Sequence, residues 1–77
     1  MVKIKNAQIY SSKGNMCFQI EYSEGTKVRA VESKGLISKE YFKNGEWVIS
    51  GKPYIVAKNL KRNAEKIRES VKSFLGN

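Results

Sequence analysis

The side chains with most scope for chemistry are cations at the head of a helix. Lys58, Lys61 and Arg62 crowd the start of the one long segment with unambiguous helical periodicity, and Lys66 follows a turn later. A helix N-terminus carries partial positive charge, so each cation there costs roughly a few tenths of a kcal/mol, and Asp or Glu would be favoured for stability alone. A phosphate reverses the sign, because free backbone N–H groups, the helix dipole and the side chains then attract the same ligand. The bland alternative, a solvated lysine-rich face, accounts for the same residues without any ligand.

Other constellations lead away from catalysis. The chain has no His, which removes Cys-His and Ser-His nucleophile pairs and most zinc sites. Its acids are all Glu, and Glu21, Glu24, Glu32, Glu40 and Glu46 alternate with lysines along strands and turns, where solvated surface charge is the expectation. Ser50-Gly51-Lys52 lacks the second glycine and the Lys-Ser/Thr pair of a phosphate loop. Cys17, the lone cysteine, permits no intrachain disulfide, and beside Gln19 it reads as an exposed or half-buried bystander thiol. Trp47, Phe42, Tyr41 and Tyr54 could stack on bases, although a small domain needs its large side chains inside. No enzymatic activity, metal or cofactor is expected.

Charge supplies the partner class. The 77 residues hold 15 Lys and Arg against 7 acids, a net +8. The surplus sits at the ends: Lys3, Lys5 and Lys13 give residues 1–15 +3 with no acid, and residues 58–77 set six bases against Glu65 and Glu69 for +4. Such an excess favours an anionic partner, DNA before RNA, or an acidic protein surface. No run approaches the roughly 18 apolar residues of a membrane span, and Met1 to Asn6 lack a signal-peptide core, so a cytoplasmic protein without a membrane partner is expected. One small basic domain over residues 1–77 is all this length supports, as a monomer or weak homodimer.

The elements that must hold these residues follow from periodicity. Val2 and Ile4 alternate with lysines, then Ala7 and Ile9 alternate in the opposite phase, so a bulge or bend at Asn6 is expected. Met16, Phe18, Ile20 and Tyr22 face one way and Cys17, Gln19 and Glu21 the other. After a tight connection at Ser23-Glu24-Gly25, Val28 and Ala30 point inward while Lys27, Arg29 and Val31 point outward. The pair therefore presents a polar face of Gln19, Glu21, Lys27 and Arg29. Residues 36–43 are ambiguous, with a strand favoured from about Lys39. Asn44-Gly45 signals a type I′ hairpin that sets Lys43 against Glu46 and Phe42 against Trp47. Tyr54 to Ala57 suit either a fifth strand or, after Pro53, the start of the helix. Leu60, Ala64, Ile67, Val71 and Phe74 recur at four- and three-residue steps, with Leu75 beside them and Gly76 as the stop, so the helix needs an apolar sheet face to cover.

The predicted fold is α+β: an antiparallel meander of four to five strands, strongly twisted or partly closed into a small barrel, with one C-terminal helix packed on it. In element order alone, a three-stranded sheet with a basic face followed by a helix is similar in outline to the small domains with which some recombinases lay a sheet into the DNA major groove. The extra Asn44-Gly45 hairpin departs from that outline, and no site residue is carried over from it. The predicted function is non-enzymatic nucleic-acid binding, with phosphates contacted by Lys58, Lys61, Arg62 and Lys66 at the helix and by Lys27, Arg29 and Gln19 on the sheet. The competing expectation is a small inhibitor or adaptor that docks on an acidic protein.

Overall fold

The computed structural model describes residues 3–56 and 62–76. Five strands, β1 (Ile4–Ser12), β2 (Asn15–Tyr22), β3 (Lys27–Ser33), β4 (Leu36–Lys43) and β5 (Glu46–Ile55), precede one helix, α1 (Asn63–Phe74). They form a single open antiparallel meander in the order β1-β2-β3-β4-β5.

Three of the four connections use the same turn. Lys13-Gly14, Lys34-Gly35 and Asn44-Gly45 each place both residues at positive φ, near +52 for the first and +80 for the second. This is the type I′ geometry whose twist matches that of the flanking strands. Asn44 tolerates it readily, whereas Lys13 and Lys34 adopt it against the steric preference of a side chain with a Cβ. The hairpin at Asn44 pairs Lys43 with Glu46 and Phe42 with Trp47 as expected. The β2-β3 connection is longer, and Thr26 O there accepts a 2.8 Å hydrogen bond from the Tyr22 N–H.

Two irregularities shape the edge strands. The β1-β2 register shifts between Ile4 and Asn6, and the Asn6 Oδ1 accepts the Ala7 N–H at 2.9 Å. That shift is the change of phase visible in the sequence. On β5, Ser50 pairs with Lys39 and Tyr54 with Ile37, so extra residues bulge out around Gly51 at φ +80. Pro53 falls in this bulge, where a missing N–H costs no ladder bond. Tyr54 and Ile55 therefore belong to the sheet rather than to the helix. The strand reading of 36–43 also holds, beginning at Leu36 rather than Lys39.

The main core lies on the face that α1 covers. Ala7, Phe18, Ile20, Val28, Ala30 and Ile37 from the sheet meet Ala64, Ile67 and Val71 of α1, with Tyr22, Tyr41 and Tyr54 packed at the margin. Leu60, placed in the same stripe by sequence, lies outside the described residues. Phe74 does not belong to the buried stripe: it is 47% exposed against 7% for Ile67, because α1 outruns the apolar patch it covers. Gly76 at φ +86 then ends the helix, its N–H reaching the Ser73 carbonyl at 3.1 Å.

Truncation should separate these positions. Ile67→Ala is expected to lower unfolding free energy by about 2–5 kcal/mol, a large share of the stability of so small a domain. Phe74→Ala and Ser70→Ala should each lie within about 1 kcal/mol of wild type in urea denaturation. Lys34→Asn should raise stability by up to about 1 kcal/mol by relieving the positive-φ cost, and a loss there would show that the turn needs the lysine.

Candidate nucleic-acid interface

The two flanks of α1 differ in charge because of what lies beneath them. On one flank Glu65 is buried, and Arg68 is ion-paired to Glu32 of β3 with Glu69 beside it. On the other flank Asn63, Lys66 and Ser70 overhang Tyr22, Val28 and Lys39. Together with Ile20 and Ile67 they line a groove of about 290 Å³, and among the described residues no carboxylate stands in its wall. Lys39 faces this side because it alternates with Ile37 and pairs with Ala30, a core residue. Lys66 is exposed, and among the described residues neither lysine is ion-paired.

Arg62 stands at the head of the helix in extended geometry, its own side chain making no capping hydrogen bond. Its guanidinium lies 4.6 Å from the centroid of the Tyr54 ring. The Tyr54 hydroxyl accepts only a long 3.4 Å bond from the Glu65 N–H. The first turn is not wholly cationic, however. Glu65 stands there at 5% exposure, and its Oε1 has no hydrogen-bond partner among the described residues. An acid in the first turn suits the helix dipole, and with Glu32 and Glu69 on the same flank the cationic surplus lies on the groove flank.

The opposite face of the sheet holds Gln19, Lys27 and Arg29, paired across β2 and β3 as Gln19 with Arg29 and Glu21 with Lys27. These cations are engaged. Arg29 donates from Nε to Glu40 at 2.8 Å and from Nη1 to the Tyr10 hydroxyl at 2.9 Å, and Tyr10 donates in turn to Gln19 at 2.7 Å. The guanidinium also lies 4.3 Å from the Trp47 centroid, and Lys27 Nζ is 5.2 Å from that of Phe42. Burial alone would lower the Arg29 pKa, but the hydrogen bonds to Tyr10 and Glu40 outweigh it and hold the guanidinium more firmly protonated than usual. Trp47 and Phe42 contact edge to face at 5.2 Å. Neither is in the main core, contrary to the expectation from size, because their register puts them away from α1.

Cys17 also departs from expectation. It is 1% exposed, enclosed on this sheet face, not a surface thiol. Burial raises its pKa from the ordinary 9.0, with the nearby Arg29 charge opposing the rise and Glu40 adding to it. The fold thus separates the residues singled out by sequence into two groups on opposite faces: Arg62 and Lys66 with the helix, and Gln19, Lys27 and Arg29 behind the sheet. Lys58 and Lys61 lie outside the described residues. Lys39, Asn63 and Ser70 were missed. The only sequence signal for Lys39 was its place two residues after Ile37, which the ambiguity of residues 36–43 concealed.

Comparison of the chain with protein-family models, with curated proteins and with solved structures returns no match. Among the described residues no helix is long and apolar enough to cross a membrane.

The enclosure of Cys17 has a measurable consequence. Its folded pKa is raised, so the native state keeps a proton that the unfolded state releases. Stability should therefore fall as pH rises through and above 9.0, with full stability below it. The difference between wild type and Cys17→Ala should shrink over that range in denaturant titrations. Native Cys17 should react with a thiol reagent far more slowly than the unfolded chain, and equal rates would contradict its burial.

Proposed function

We propose that this chain binds nucleic acid without catalysis, seating phosphates in the groove between α1 and the sheet. Lys39 and Lys66 supply the charge on its two walls, Asn63 and Ser70 supply neutral donors, and Arg62 adds a cation at its head. Lys58 and Lys61 extend the same cationic run along the sequence. The observation that carries this reading is the placement of Lys39 and Lys66 on one groove that no carboxylate lines among the described residues, on a chain of net charge +8. Lysines in such a setting act as phosphate ligands that position a duplex without reading its sequence. Gln19, Lys27 and Arg29 are assigned a lesser part, since their polar groups are already committed to Tyr10, Glu40, Phe42 and Trp47.

Duplex DNA is the ligand to test first, by fluorescence anisotropy across a salt series. Each phosphate contact should contribute about −0.9 to the log-log slope, so a steep fall in affinity with salt is expected. Removing Lys39 and Lys66 together as glutamines should make that slope shallower by about two units and weaken all sequences alike. Lys27→Gln should leave the slope nearly unchanged. An unchanged slope in the double variant would remove the groove as the site. Tight binding to one acidic protein, with little affinity for bare DNA at physiological salt, would favour the inhibitor or adaptor instead.

A further inference from the structure

The sheet face turned away from α1 carries apolar surface that nothing in the fold covers. On β4 and β5, Phe42 is 40% and Ile49 49% exposed. Leu36 and Ile55, paired with each other across the same two strands, are exposed on the same face. Phe42 is braced edge-on by Trp47, so the ridge formed by Phe42 and Ile49 is not a loose side-chain cluster. Beside it lies a groove of about 670 Å³ bordered by Tyr10, Cys17, Val31 and Trp47, with Lys13 and Arg29 set against Glu40 and Glu46 in its wall. Cys17 and Val31 give its floor an apolar character, and both are buried.

We propose that this face is the two-fold interface of a homodimer. Three observations select a second copy over other partners. The charges on this face and around its groove, Glu21, Glu40 and Glu46 against Lys13, Lys27 and Arg29, cancel. Two molecules of net charge +8 repel each other overall, and a face whose charges cancel is where they can meet. An acidic protein or a nucleic acid would gain nothing from a neutral face and would be drawn to the helix side. The shape agrees: a ridge next to a groove on one surface is self-complementary about a two-fold axis, each ridge entering the other copy's groove. Size agrees too, since a molecule measuring 30 × 29 × 22 Å offers on a broad side about the 800 Å² per partner that a stable interface buries. Arg29, fixed by Glu40 and Tyr10, enters the interface with its charge already compensated. The groove beside α1 stays on the outer surface of such a dimer, so this inference stands or falls apart from the nucleic-acid reading.

Sedimentation equilibrium of the full chain, without nucleic acid, tests it. The expected result is a monomer-dimer equilibrium with a dissociation constant of about 10 µM or tighter, little weakened by salt. Ile49→Glu should weaken it at least about 100-fold, since two carboxylates per dimer would be buried without partners. Phe74→Glu, at an exposed apolar position on the helix side, should not change it, and neither should the Lys39 and Lys66 double variant. Trp47 is the only tryptophan, so wild-type emission should shift to the red on dilution through the transition, a readout that needs no variant to fold. A chain that stays monomeric at millimolar concentration would overturn the proposal. So would a dimer that survives Ile49→Glu, is lost only in Phe74→Glu, or dissociates without any change in Trp47 emission.

Discussion

A single helix cannot cover a five-stranded sheet, and much of this structure follows from that shortage. Ile67 and Val71 press onto Ile20, Ala30 and Ile37, and the core is the thickness of that one contact. With one layer of helix on one face, the second face has to be made tolerable in water by other means. Here the means is the row from Gln19 through Tyr10 and Arg29 to Glu40, which satisfies polar groups laterally along the sheet and leaves Cys17 and Val31 enclosed beneath. The row stops short of β5, and past its end Phe42 of β4 and Ile49 of β5 stand uncovered.

The fold was legible wherever a local rule had no competitor. Asn44-Gly45 fixed its hairpin because both residues accept positive φ, and the pairing of Phe42 with Trp47 follows from the two-residue loop by counting. The alternation from Met16 to Tyr22 gave both faces of β2. Residues 36–43 were harder, since Ile37 and Ser38 are both buried and a strand buried on both faces loses the alternation that identifies it. The apolar stripe of α1 was legible in period but not in extent. Periodicity says which side of a helix is apolar, and only the width of the sheet beneath decides that burial ends at Val71 and leaves Phe74 outside.

The candidate site was legible in composition and not in arrangement. Lysines and arginines at the helix start and on the polar strand face could be counted, but whether they share a surface depends on which sheet face the helix takes. Because α1 packs on the face of Ile20 and Ala30, Gln19 and Arg29, their immediate neighbours in sequence, are carried to the far side. Lys39 moves the other way. It is brought opposite Lys66 by a register that no local pattern reveals. Glu65 was visible as an acid in the first turn, yet its burial is a tertiary fact.

Counting cations also conceals a division between the two kinds. Each described arginine is occupied: Arg29 by Glu40 and Tyr10, Arg68 by Glu32, and Arg62 against the face of Tyr54. Among the described residues no lysine lies within ion-pair distance of a carboxylate. The planar guanidinium, with several fixed donors and weak hydration, is suited to bridging carboxylate, hydroxyl and ring within one structure. The compact, strongly hydrated ammonium keeps its water until a stronger anion displaces it. Arg29 and Arg68 here serve the protein's own cohesion, Arg62 stays exposed beside the Tyr54 ring, and most of the charge without a carboxylate partner among the described residues is carried by lysine. That charge is held on flexible stems, so a partner recognised through it is bound by its density of negative charge rather than by directional bonds. Phosphate backbones present that density at every nucleotide, and an isolated carboxylate on a protein surface does not.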